Sequence, residues 1–221
     1  MKQIKSFFKK YPYAYTLFIG LALLVWFRVL EHVVTVPKYN LHVPLDDKIP
    51  FISWFSVPYL LWFPYIGVVM AYFFLRSGKD FMKVSAFLYI GMSVCYIVYM
   101  IWPNGQDLRP ELTGGGVGNW IVSTIYAGDT PYNCFPSIHV INSIGIHTAV
   151  AHYDGFKYPK LVKGASFVMM LSICLATVFI KQHSIIDVVA GAAVSAVLYV
   201  GIYVINWQAI REKKVRTETV S

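Results

Sequence analysis

Lys181-Gln-His-Ser-Ile-Ile-Asp187 opens the last long apolar run of this 221-residue chain. On a helix, His183 and Asp187 stand four residues apart, one above the other on a single face. A carboxylate so placed accepts the imidazole N–H, fixes the tautomer, and stabilises the charge that the ring gains when its other nitrogen attacks an electrophile. Ionisable groups at the mouth of a membrane helix are costly, so they are functional candidates by default. Two earlier segments carry matching chemistry: Arg109-Pro110 in the longest polar stretch, and Pro136-Ser-Ile-His139 at the start of another apolar run. Two imidazoles, one with a carboxylate partner, plus Arg109 and Lys181 suit a phosphate ester. A guanidinium grips phosphate oxygens bidentately, one histidine attacks phosphorus, and the other protonates the leaving oxygen. Positioning and charge stabilisation carry most of phosphoryl-transfer catalysis, and cationic side chains supply both without a metal or cofactor. The Pro136-Ser137 start also aims free backbone N–H groups at an anion.

Each residue has a structural reading as well. His183 and Asp187 are also the makings of a buried pair joining two helices, and Arg109 and Lys181 of interfacial anchors. Ser137 suits a helix cap, while His139, His183 and Asp187 together are legitimate metal ligands. Asp129 and Asn133 have turn roles or headgroup contacts open to them. The glycines at 114, 115, 116 and 118 lack the Gly-Lys-Ser/Thr ending of a phosphate-binding loop and read as a flexible segment.

The elements that must position these groups are membrane helices. The chain is 57% apolar and only 14% charged, against about 45–50% and 25% in soluble domains. Composition therefore predicts an all-α polytopic membrane protein, with one membrane-embedded domain over 1–207 and a polar tail over 208–221. Apolar runs near the roughly 20 residues a bilayer needs predict six transmembrane helices: about Tyr13–Val36, Val57–Leu75, Phe81–Trp102, Pro136–Tyr153, Leu161–Ile180 and Ser184–Trp207. The first is too long for a signal peptide and lacks a small-residue cleavage site. In it, Arg28, Glu31 and His32 lie at helical spacing and can pair with one another. A short amphipathic segment is expected over Asn119–Tyr126. The small residues Ala190, Gly191, Ala193 and Ser195 predict a packing face, and His147 and His152 face inward.

Fourteen of the nineteen lysines and arginines then fall in the N-terminus, the two short links and the tail. The positive-inside rule places those segments, and both termini, in the cytoplasm. The formal charge of +8 is thus a topology signal, and nucleic acid is not needed to explain it. Arg109, His139, Lys181, His183 and Asp187 meet at the extracytoplasmic face. Cys95, Cys134 and Cys174 show no metal-like spacing and imply no disulfide framework.

Arg109-Pro110, Pro136-Ser-Ile-His139 and His183-x3-Asp187 resemble, in order and spacing, the three motifs of the type-two phosphatidic acid phosphatase (PAP2) superfamily, over roughly residues 80–207. Asn133-Cys-Phe-Pro-Ser-Ile-His139 and Lys181-Gln-His183 are most similar to its inositol phosphorylceramide synthase-like branch. The resemblance implies a phosphohistidine on His183, a general acid at His139, orientation by Asp187, and phosphate binding by Arg109 and Ser137. It departs at three places: Trp102 stands where the first motif has lysine, Ile138 where the second has glycine, and Ala176-Thr177 where the third has Ser-Arg. Lys181, one helical turn after Thr177, is then the residue to replace that arginine at the phosphate.

The function so implied is cleavage of a phosphomonoester or pyrophosphate on a lipid at the outer leaflet. A lipid phosphotransferase, passing the group to a lipid hydroxyl, is the second enzymatic reading. A membrane transporter or lipid-binding scaffold is the non-enzymatic one, disfavoured because transporters hold substrate near the midplane.

Overall fold

In the computed structural model, residues 2–33 and 36–206 are described. Eight α-helices dominate the described residues: α1 (Lys2–Lys10), α2 (Thr16–Val33), α3 (Ser56–Arg76), α4 (Gly78–Ile101), α5 (Val117–Gly128), α6 (Ile138–His152), α7 (Pro159–Phe179) and α8 (Ile185–Tyr199). A π-helical turn, Val200–Val204, extends α8. Among the described residues five segments are long and apolar enough to cross a membrane: Pro12–Val33, Ser53–Arg76, Gly78–Ile101, Pro159–Phe179 and Ile185–Val204. Their outward faces are apolar, with Phe18, Leu21, Phe63, Val68, Leu161 and Val197 all exposed. Large apolar surface of this kind is at home in lipid, and the chain is an integral membrane protein.

The expected fourth span is the one that does not reach that length. Ser137 takes the N-cap, its Oγ accepting from the Val140 N–H, and Tyr153 ends the helix in an extended conformation. That leaves α6 fifteen residues, about 22 Å at 1.5 Å per residue. It is nevertheless the central element, packed against α3, α4, α7 and α8. Ile141 and Ile146 join Phe73, Phe81, Phe87, Tyr96 and Tyr99 in the main core. The expected tail, 208–221, lies outside the described residues.

Serines start the helices that matter most. Ser77 caps α4 by accepting from the Asp80 N–H, and Ser184 caps α8 in a reciprocal capping box with Asp187. Each satisfies backbone donors that the first helical turn leaves free. The small-residue face of α8 packs as anticipated at Gly191. A Cβ there would stand 3.0 Å from the Ser137 carbonyl oxygen, so glycine is what lets α8 approach the start of α6.

The non-helical segments are knitted together beside that junction. Tyr39–Asn40 (β1) pairs in parallel with Asn104–Gly105 (β2). Asn104, fully buried, accepts from the Cys134 and Phe135 N–H groups at 2.9 Å each and donates to the Trp102 and Phe135 carbonyls. A second apolar cluster, Tyr59, Val122, Ile125, Ala176 and Ile180, fastens α5 to α3 and the end of α7. Glu31 does not close a cluster with Arg28 and His32. It accepts from Thr130 Oγ1 at 3.0 Å and Asn133 Nδ2 at 3.2 Å, because Asn133, at φ 58°, turns the loop toward it.

Candidate active site

His183 sits between two partners. Its Nδ1 lies 3.1 Å from Asp187 Oδ2 and its Nε2 lies 3.2 Å from Ser137 Oγ. The pairing arises differently from the helical-face argument. His183 precedes the helix, because Ser184 is the N-cap and Asp187 is the third helical residue. The Asp187 carboxylate reaches back, accepting from the Ser184 backbone N–H at 3.1 Å and from the imidazole with the same oxygen. One carboxylate thus caps the helix and fixes the ring. With Nδ1–H donated to Asp187, Nε2 carries the lone pair and faces Ser137. Burial is nearly complete, with His183 7% and Asp187 0% exposed.

The start of α6 is held against the start of α8 by the backbone as well. The Ser137 N–H donates to the Asp187 carbonyl at 3.2 Å, and Tyr99 Oη donates to the Pro136 carbonyl at 2.8 Å. His139, two residues into α6, brings its ring within 5.7 Å of the His183 ring, centroid to centroid. Tyr59 and Trp62 from α3 hold it, their centroids 4.5 and 4.4 Å away. One imidazole stands on α6 and the other just before α8, and the two rings adjoin.

Arg109 joins this pair through Gln182, the residue before His183. Its Nη2 donates to Gln182 Oε1 and to the Asp129 carbonyl, each at 2.5 Å, and its Nη1 donates to the Tyr126 carbonyl at 3.2 Å. The guanidinium lies 4.3 Å over the Tyr126 ring, a cation–π arrangement. Its Nε is buried without a partner, a donor still to be satisfied. Burial pulls the guanidinium below its ordinary pKa and Asp129 opposes that; the charge is retained regardless. Asp129, read from sequence as a turn or headgroup residue, accepts from Tyr59 Oη and Gln182 Nε2.

Lys181 lies in the same loop, but its ammonium turns to the chain segment before α3. Nζ donates to the Asp46 carbonyl at 2.7 Å and the Ile49 carbonyl at 2.6 Å. The backbone at Lys181 is left-handed, φ 55°, which swings the side chain away from the Thr177 face where helical spacing put it. Burial lowers its pKa, with Asp46 and Asp47 opposing.

Sequence reasoning missed three contributors. Cys134 has its sulfur within 4.8 Å of ligand atoms of His183 and Asp187. Burial, then Asp187 and Asp129, push its thiol well above the usual range, so it is a packed wall. Thiol, imidazole and carboxylate are chemically able to bind a soft cation, and Asp187 Oδ1 is buried without a partner. Its sister oxygen is already taken by His183 and Ser184. Asp46 and Gln182 are the others; Gln182 carried a signal, standing between two basic or titratable residues. His147 and His152 lie elsewhere, bonded to Ser166 Oγ and the Thr148 carbonyl.

A family model described as the PAP2 superfamily matches residues 84–211, a stretch that contains Arg109, Ser137, His139, Lys181, His183 and Asp187. No curated protein and no solved structure matches the chain.

Proposed function

Because this chain belongs to the PAP2 superfamily, we propose that it is a membrane lipid phosphatase working through a phosphohistidine on His183. The carrying observation is the imidazole fixed between Asp187 and Ser137 with a second imidazole beside it. His183 Nε2 attacks phosphorus and the bond from phosphorus to the leaving oxygen breaks. His139 gives that oxygen its proton. The neutralised His139 then takes a proton from water, whose oxygen attacks the phosphohistidine, releasing inorganic phosphate and restoring His183 Nε2. Asp187 holds Nδ1–H throughout and stabilises the cationic ring. The Arg109 Nε–H, the Ser137 hydroxyl and the α6 N-terminus meet the phosphate oxygens. Lys181 acts on the phosphate chiefly by fixing the loop that carries His183.

The lipid chains lie along the apolar faces of the spans. Residues 1–207 act as one membrane-embedded unit, in which α6 makes a sixth crossing sheathed by its neighbours. The basic segments and both termini then lie in the cytoplasm and the histidines at the outer leaflet. Single-cysteine labelling from each side of sealed vesicles tests this: reagent reaching position 112 only from inside would reverse it.

A phosphotransferase reading draws on one observation. His183 is 7% exposed and His139 lies between Tyr59 and Trp62, an enclosure that disfavours bulk water and suits an acceptor hydroxyl delivered by a second lipid. Purified wild type, His183→Ala and His139→Ala are assayed for phosphate release from lipid phosphates and pyrophosphates with chelator present. Activity in wild type alone supports the enzyme. Equal signals in all three would end the catalytic assignment in favour of a transporter or scaffold. Labelled transfer product formed only with an alcohol-bearing lipid would move the reading to phosphotransfer.

A further inference from the structure

The groups that set His183 do not stop at the boundary of the family match. Asp46 lies in a 3-10 turn, Asp46–Lys48, well before α3, yet it is only 2% exposed and faces the start of α8. Its Oδ2 accepts from Ser184 Oγ at 2.6 Å and from the Val43 N–H at 3.0 Å. Its Oδ1 accepts from the Ile185 N–H at 2.9 Å. Its carbonyl takes the Lys181 ammonium at 2.7 Å. One residue therefore grips the chain on both sides of His183, at 181 and at 184–185.

Each bond has a physical reason. A buried carboxylate is costly unless it is well hydrogen-bonded, and that of Asp46 accepts from three donors. A negative charge at a helix N-terminus is favoured by the free N–H groups there. Ser184 must accept from the Ile186 N–H to cap α8, so its hydroxyl proton has to go elsewhere, and Asp46 is its acceptor. Orientation passes from Asp46 to Ser184, from Ser184 to the capping box, and through Asp187 to the imidazole.

We infer that Asp46 is a positioning residue for the His183 chemistry, clamping residues 181–185 so that Nε2 faces the phosphate. This rests on the proposed phosphatase reading, and the clamp has its own readout. Asp46→Asn keeps one side-chain acceptor and Asp46→Ala none, while both retain the backbone carbonyl that takes Lys181.

The experiment measures kcat, KM and Tm for wild type, Asp46→Asn, Asp46→Ala, Ser184→Ala and the Asp46→Ala/Ser184→Ala double variant. It also follows the downfield Nδ1 proton of His183 by NMR. A misplaced reacting group costs up to about 10²-fold, so Asp46→Ala is expected to lose kcat by about that factor and Asp46→Asn by about tenfold. KM stays level, the Nδ1 resonance broadens or moves, and the double variant is no slower than the worse single. Wild-type kcat in Asp46→Ala with an unmoved resonance overturns the inference. So does a rise in KM at constant kcat, or strictly additive losses that follow Tm. Should Asp46→Ala fail to fold, Asp46→Asn decides by the same criteria. A wild type that releases no phosphate removes the activity alone; the resonance, compared between wild type and Asp46→Asn, still upholds or refutes the clamp.

Discussion

The two halves of the proposed phosphate site are held in different ways. His183 is oriented first by a capping box spanning four residues, with Ser137 and, through Ser184, Asp46 reaching that box from farther along the chain. Arg109 is fixed from afar, its fork taken up by the Asp129 and Tyr126 carbonyls and Gln182 and its plane laid on Tyr126. The proposed nucleophile is aimed and keeps one exchangeable partner. The guanidinium is committed, with its Nε left over to offer the proposed phosphate. The orientation of His183 rests first on a helix cap and the setting of Arg109 on loop packing, so the two should fail differently on substitution.

The largest expected effect is at the aimed half. His183→Ala removes the attacking atom and should abolish turnover at unchanged Tm. Asp187→Asn keeps an acceptor for the helix cap but can turn an N–H toward the imidazole, inverting its tautomer; a loss of about 10²- to 10⁴-fold in kcat is expected. A near-normal kcat for Asp187→Asn would remove the difference between the halves. Next comes Arg109→Lys, which retains charge but neither the fork nor the stacking. It should cost about 10²-fold in kcat/KM, with partial loss of order in the loop from 103 to 116.

Lys181→Met sharpens the contrast further. If the ammonium serves the Asp46 and Ile49 carbonyls, the variant loses about 1–3 kcal/mol of stability, seen as a lower Tm, while KM moves little. A large rise in KM at constant Tm would restore Lys181 to the phosphate, as the motif comparison suggests. The smallest effect concerns Cys134. Its thiol is buried and pushed up, so the thiolate that reacts with maleimide is scarce until the pH rises well above the ordinary cysteine range. Native protein at neutral pH should leave Cys134 unlabelled, and unfolded protein should label it.

What could be read from residue order follows the same division. The ends of α3 and α7, and the amphipathic α5, lie within two or three residues of expectation, because apolar runs bounded by Ser, Pro, Gly or charge carry their own signals. The helical-face reading of His183 and Asp187 takes the wrong route to the right neighbours: Ser184 is the N-cap, so α8 begins only at Ile185 and His183 stands outside it. Capping by Ser137 likewise shortened α6 below a full span. The grips of Asp46 on Ser184 and of Glu31 on Asn133 join residues 138 and 102 positions apart, and no local pattern announces such pairs. Lys181 missed its expected neighbour because a left-handed backbone replaced the helical spacing on which the expectation stood.

The serine hydroxyl resting 3.2 Å from His183 Nε2 has one more consequence. A buried lone pair without a donor is costly, and the hydroxyl acts as its tenant. On the proposed reading, an arriving phosphate evicts it, and the freed O–H can turn to one of the new oxygens. Binding would then be an exchange of partners in which no polar atom is stranded.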